Sequence, residues 1–168
     1  MPPRSVVLIG FMAAGKTEVG RALGTRMGFT FCDTDDIVET NSGRTIEEIF
    51  TADGEQRFRE LEREAVMQAA ARPGRVIACG GGAVLSVRNY GVLKGAGPIV
   101  YLRTSADEII ARLGNGEGRP LLQGDPAQSV PKLLTERAPA YETAADLTID
   151  TDGRSPDELA AEIAERLA

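Results

Sequence analysis

Apolar and polar positions follow two alternating rhythms along this chain. Val6-Val7-Leu8-Ile9 is a short, β-branched run that predicts a buried strand. Val19, Leu23 and Met27 then recur at helical spacing, and Gly28 marks the helix end. Phe29-Thr30-Phe31-Cys32 predicts a second strand that runs into Asp33-Thr34-Asp35-Asp36, where a helix should begin with Asp35 or Asp36 as its cap. A short helix around Ile46, Ile49 and Phe50 follows Thr45, and a long amphipathic one spans roughly 53–71 before Pro73-Gly74. The third strand is Val76-Ile77-Ala78-Cys79, running straight into Gly80-Gly81-Gly82. A helix near Val87 to Leu93, a fourth strand Ile99-Val100-Tyr101-Leu102 and a Ser105-capped helix with Ile109, Ile110 and Leu113 come next. Residues 114–124 are glycine-rich and polar around Arg119-Pro120-Leu121-Leu122, the pattern of a mobile lid. A helix carrying Val130, Leu133, Leu134 and Ala138 follows, with Pro139 late in it or just beyond. The chain ends with a strand at Leu147-Thr148-Ile149-Asp150 and a helix opened by Ser155-Pro156.

Strands that read as buried, alternating with helices, predict an α/β fold with a parallel sheet covered on both faces. Ligands bind such sheets beyond the carboxyl ends of the strands. Three chemistry-bearing segments each follow a strand and should converge on that rim.

The first, Gly10-Phe11-Met12-Ala13-Ala14-Gly15-Lys16-Thr17, fits the phosphate-binding pattern G-x-x-x-x-G-K-[ST]. Its glycines let backbone N–H groups turn inward, and the helix that follows adds its positive end. Lys16 should reach the β- and γ-phosphates of a nucleotide, and Thr17 should ligate Mg²⁺. The second, Asp33-x-Asp35, sends both carboxylates to one side if the chain is still extended there. One would then hold Mg²⁺ through water and the other grip an acceptor hydroxyl, or both simply serve turn and helix-cap chemistry. The third, Gly80–Gly82, is either backbone that approaches a ligand closely or a flexible loop. Arg57 and Arg59 read first as partners for helix-surface carboxylates. Arg119 reads as a lid arginine that closes over a transferring phosphoryl. Cys32 and Cys79 read as small buried hydrophobes.

Composition narrows the chemistry. The 168 residues suffice for one domain with a real core; 42% are hydrophobic and 26% charged. A net charge of −6 argues against a nucleic-acid partner, whose footprint is basic. With no histidine in the chain, a general base must be a carboxylate and His-ligated metal sites are excluded. Two cysteines build no disulfide framework. No apolar run reaches membrane-spanning length, and a core strand close to the N-terminus leaves no room for a signal peptide, so a cytoplasmic location is expected.

Taken in order, the P-loop, Asp33-x-Asp35, Arg59, Gly80–Gly82, Arg119-Pro120-Leu121-Leu122 and Arg137 make the whole chain resemble the shikimate kinase family. The resemblance implies a five-stranded parallel sheet of order 2-3-1-4-5 within one domain over residues 1–168. It implies transfer of the γ-phosphoryl of ATP to the 3-hydroxyl of shikimate, with ATP and Mg²⁺ required, and a monomer is expected. It further implies that Gly10, Ala13, Ala14, Gly15, Lys16, Thr17 and Glu18 surround the nucleotide phosphates. Arg112 resembles the residue that stacks on adenine, and Arg154 with Pro156 falls in the adenine loop. Thr17 and Asp33 would serve the metal, and Asp35 would bind shikimate hydroxyls and accept the proton. Arg59 and Arg137 would hold the substrate carboxylate, Gly80, Gly81 and Gly82 would offer N–H groups, and Arg119 would be the lid arginine. Lys16, Asp35 and Arg119 would carry the catalysis. The chain departs from the family at Ala13, where glycine is usual, and at Glu18, where threonine or serine is usual. Ala13 constrains the loop if its φ must be positive, and Glu18 is expected to face outward. The competing readings are a gluconate or nucleoside-monophosphate kinase of the same fold, and an ATP-binding regulator that has lost catalysis.

Overall fold

All four residues of strand β1, Val6–Ile9, are buried, as a central strand with both faces covered requires. In the computed structural model, which describes residues 3–114, 122 and 124–168, β1 is the middle of the sheet. The chain continues through α1 (Lys16–Met27), β2 (Thr30–Asp33), α2 (Thr34–Ser42), α3 (Ile46–Ala70), β3 (Arg75–Ala78) and a 3₁₀ turn at Ala83–Leu85. It is completed by α4 (Val87–Ala96), β4 (Ile99–Arg103), α5 (Ala106–Leu113), α6 (Pro126–Ala144), β5 (Leu147–Asp150) and α7 (Pro156–Arg166). The sheet has the order β2-β3-β1-β4-β5 with every pairing parallel. This is the predicted topology.

Alternation within the strands divides the core in two. Val7, Ile9, Ile77, Ile99 and Tyr101 face a layer formed by α3, α4, α5 and α6, through Val66, Ala69, Leu93, Ile109 and Tyr141. Val6, Leu8, Val76, Val100 and Ile149 face α1 and α7, through Val19, Leu23, Leu159 and Ile163. A satellite cluster of Val38, Ile49, Phe58 and Leu61 packs α2 against α3.

The short and long helices expected between residues 45 and 71 form one run, α3, broken at Gly54 (φ 84°, ψ 175°). Thr45 and Glu48 close a capping box at its start. Pro139 lies inside α6. The strand edges differ from expectation by a residue: β2 begins at Thr30 and ends at Asp33, and β3 ends at Ala78 so that Cys79 opens the glycine run. Among the described residues, no helix is long and apolar enough to cross a membrane.

One glycine outside the rim is indispensable to the sheet. A Cβ on Gly97 would overlap the backbone carbonyl oxygen of Ser5, where the chain enters β1. Gly97→Ala is expected to destabilise the protein by roughly 2–4 kcal/mol, measured by urea unfolding, because backbone rather than a side chain must yield.

Candidate active site

The phosphate loop crosses the carboxyl end of β1 because its glycines allow conformations that side chains disfavour. Gly10 has φ 153° and packs so close to β4 that an added Cβ would sit 2.8 Å from the Leu102 carbonyl oxygen. Gly15 (φ 92°) stands in the left-handed region at the N-cap of α1. Ala13 has φ 61°, the one positive-φ residue other than glycine among those described. Such a conformation costs an alanine ~1–2 kcal/mol. The conditional expectation about Ala13 therefore applies. Glu18 is exposed on the first turn of α1 and lines the rim of the cleft.

Lys16 folds back over the loop, and its Nζ donates to the carbonyls of Gly10 and Phe11, both at 2.8 Å. The Thr17 hydroxyl donates to Asp33 Oδ2 at 3.3 Å. Asp33 Oδ1 accepts from the backbone N–H of Asp35 at 2.8 Å, so Asp33 itself is the N-cap of α2. This corrects two expectations. The cap is neither Asp35 nor Asp36, and the chain is not extended through Asp35. The two carboxylates converge because Asp35 lies in the first turn of the helix that Asp33 caps.

Asp35 Oδ1 is buried without a hydrogen-bond partner among the described residues. Burial, with the neighbouring charges of Asp33 and Glu62, pushes the Asp35 carboxyl up from 3.8 to about 7, against a smaller lowering by Lys16. Asp33 is also raised, chiefly by burial.

The glycine run threads between these groups. A Cβ on Gly80 would lie 2.6 Å from Asp35 Oδ1 and 3.1 Å from Glu62 Oε2. One on Gly82 would lie 2.6 Å from Arg59 Nη2, and one on Gly81 would lie 3.1 Å from Arg137 Nη1. The run is thus close-approach backbone rather than a loose loop. Thr34 Oγ1 accepts from the Gly80 N–H at 3.0 Å, and the Tyr141 hydroxyl donates to the Gly81 carbonyl.

Arg59 donates to Glu62 at 2.8 Å and lies 3.4 Å from Glu55, while Arg57 takes the surface pairing with Glu60. Burial alone would lower the Arg59 guanidinium, but Glu62 and Glu55 raise it on balance. Arg137 is only 6% exposed and sits over the Phe11 ring, 5.8 Å from its centroid. Arg112 Nη1 donates to the Ala13 carbonyl at 2.9 Å. Arg154 is held by Glu162 at 2.6 Å.

One cleft of about 880 Å³ collects these residues. Ala13, Ala14, Gly15, Lys16, Thr17, Glu18, Asp33, Asp35, Arg59, Gly80, Gly81, Gly82, Arg112, Arg137 and Arg154 all line it. Gly10 lies behind the wall and contributes through its carbonyl to Lys16. Arg119, with most of the predicted lid, lies outside the described residues. Cys79 is buried and its thiol is raised by burial, whereas Cys32 is only half-buried.

Sequence reading missed three contributors. Glu62 is buried, its carboxyl raised by burial against the lowering influence of Arg59, and it orients that arginine. Its signal was present: Phe58, Leu61, Glu62, Ala65 and Val66 form a helical core stripe in which one position is a carboxylate. Tyr141 and Thr34 hold the glycine run from distant elements, a contact no local pattern reveals.

A phosphate loop at the carboxyl edge of a parallel sheet, facing buried carboxylates and two arginines, defines a P-loop phosphotransferase with a small anionic acceptor. A family model described as shikimate kinase matches residues 12–168. The shikimate kinase of Moorella thermoacetica is 44% identical over 98% of this chain and 95% of its own length. That of Geobacter sulfurreducens is 45% identical over 96% of this chain and 89% of its own. Shikimate kinase from Acinetobacter baumannii, solved in complex with shikimate, superposes with a TM-score of 0.94 at 37% identity, covering 99% of this chain and 93% of that one. The chain belongs to the shikimate kinase family, a family of ATP-dependent kinases.

Proposed function

We propose that this protein, a single domain over residues 1–168, transfers the γ-phosphoryl of ATP to the 3-hydroxyl of shikimate in aromatic amino-acid biosynthesis. The observation that carries the reading is the placement of Arg59 and Arg137 against Gly82 and Gly81, in the same cleft as Asp35 and the phosphate loop. Forked guanidiniums suit a planar carboxylate, and a buried carboxylate suits the hydroxyls of a compact polyol.

Lys16, which bonds loop carbonyls in the structure, turns to the β- and γ-phosphates, while the N–H groups of residues 13–18 cradle them. Arg112 and Arg154 flank the base. Asp35 orients the acceptor hydroxyl and takes its proton at a carboxylate oxygen, and Gly80–Gly82 present N–H groups beside it. Arg119, the lid arginine by resemblance, neutralises charge on the phosphoryl. Phosphoryl transfer demands chiefly positioning and charge neutralisation, so these groups suffice.

The Thr17 hydroxyl and the Asp33 carboxylate form a hard-oxygen pair beside the phosphate loop, which fits Mg²⁺ with Asp33 acting through water. When bound, Mg²⁺ neutralises charge on the phosphate oxygens. A monomer in the cytoplasm completes the reading.

The test is a coupled assay with ATP, Mg²⁺ and shikimate, in which ADP release is expected. Turnover with gluconate or CMP but not shikimate would reassign the acceptor. ATP binding without turnover on any of the three would favour a regulatory protein.

A further inference from the structure

We propose that Arg112 is a positioning residue for the phosphate loop: it holds Ala13 in the left-handed conformation that the cradle needs and that alanine resists. The inference rests on reading Gly10–Thr17 as the phosphate cradle.

Three observations meet at this point. Ala13 is the described non-glycine residue with a positive φ, 61°. Its carbonyl accepts from Arg112 Nη1 at 2.9 Å, and Arg112 Nη2 is braced by Glu108 one helical turn back, at 3.1 Å. The same Nη1 lies 3.6 Å from where a Gly15 Cβ would stand, so the guanidinium lies over the loop. Within the loop, Ala14 N–H donates to the Phe11 carbonyl at 3.2 Å, and Lys16 grips the Gly10 and Phe11 carbonyls. The bonds to Phe11 and Gly10 pin the segment before Ala13, and Arg112 pins the carbonyl of Ala13 itself.

The chemistry follows from the alanine. A residue with a Cβ prefers negative φ. Released from Arg112, the backbone at Ala13 rotates toward those regions, and the N–H groups on either side lose their common aim at a phosphate. With glycine at position 13 the left-handed conformation costs little, and the same release matters much less. The role of Arg112 at the loop is thus separable from any contact it makes with a nucleotide base. A ligand without a base isolates it.

Four proteins test this: the wild type, Arg112→Ala, Ala13→Gly and the double variant. The measurements are the inhibition constant of magnesium tripolyphosphate against ATP, the KM for shikimate and the melting temperature. Arg112→Ala is expected to weaken tripolyphosphate by about tenfold, the ratio set by 1.4 kcal/mol of strain. With glycine at position 13 the same substitution should cost about threefold or less, the residue of lost charge. The shikimate KM should change by less than about twofold in all four proteins, since Phe11, the loop residue beneath Arg137, stays pinned by Lys16 and by the Ala14 N–H. Ala13→Gly should raise the melting temperature by about 2–4 °C. Equal weakening by Arg112→Ala in both backgrounds, or a lowered melting temperature for Ala13→Gly, would overturn the inference while leaving the phosphate cradle standing. Failure of the wild type to bind either ATP or tripolyphosphate would overturn the cradle itself, and the inference with it.

Discussion

Asp35→Asn makes a protein that is nearly inactive and, without ligands, more stable than the wild type at pH 8. Both halves follow from one carboxylate. Its Oδ1 is buried without a partner among the described residues, and its carboxyl is pushed up to about 7 by burial and by Asp33 and Glu62. A folded-state pKa above the unfolded value means that the folded protein binds the extra proton between pH 3.8 and 7. Stability contributed by this group is therefore full at acid pH and is lost as pH rises through about 7. Three units correspond to about 4 kcal/mol at most. Asparagine carries no charge, so the variant should gain ~1–4 kcal/mol over the wild type above pH 7 and nothing near pH 4. Thermal melts in EDTA across that range measure it. A wild type as stable as the variant at pH 8 would contradict the burial argument. The same substitution should lower kcat by about 10²–10⁴, since the proposed role of Asp35 is to orient and deprotonate the acceptor. On the proposed role, the stored instability is the cost of holding an anion ready for the substrate hydroxyls.

What was legible in the sequence, and what was not, divides along a physical line. Element types came from local periodicity, because a strand buried on both faces cannot hide its apolar run; the sheet order β2-β3-β1-β4-β5 came only from the family resemblance, because strand neighbours are set by packing between distant segments. The P-loop was legible because its glycines and lysine act through their own backbone and neighbours. Asp33 as a cap was misassigned because the decision lies in one residue's φ and ψ, −119° and 127°, at the strand end. Glu62 was overlooked although a carboxylate on the apolar stripe of α3 marks it. Tyr141 was invisible for a different reason: its partner, Gly81, comes from another element. Ala13 stands between these cases: the sequence raised the question of its φ, and only the fold could answer it.

Arg59→Ala should raise the KM for shikimate by about 10²–10³ while changing the KM for ATP by less than about threefold, because the fork is proposed to grip only the acceptor carboxylate. It should also destabilise the protein, and the reason is Glu62. That side chain is 2% exposed, and its Oε1 accepts from Arg59 at 2.8 Å while Oε2 has no partner among the described residues. Removing the arginine leaves a buried carboxylate that still feels the charge of Arg137 on α6 but loses its hydrogen-bonded cation. Breaking such a pair from one side costs roughly 3–5 kcal/mol. Adding Glu62→Gln removes the orphaned charge, so the double variant should recover most of that stability and none of the shikimate affinity. Glutamine at 62 should also ease the Asp35 carboxyl downward, since Glu62 is one of the charges that raise it. Urea unfolding of the four proteins in the cycle, with shikimate KM measured in parallel, separates the two roles of Arg59. A double variant no more stable than Arg59→Ala would mean that Glu62 is not strained by the loss. Equal losses for shikimate and ATP would remove Arg59 from the acceptor site. If both expectations hold, the Arg59–Glu62 pair aims a guanidinium before any substrate arrives, and the partly exposed arginine offsets the cost of burying the carboxylate beneath it.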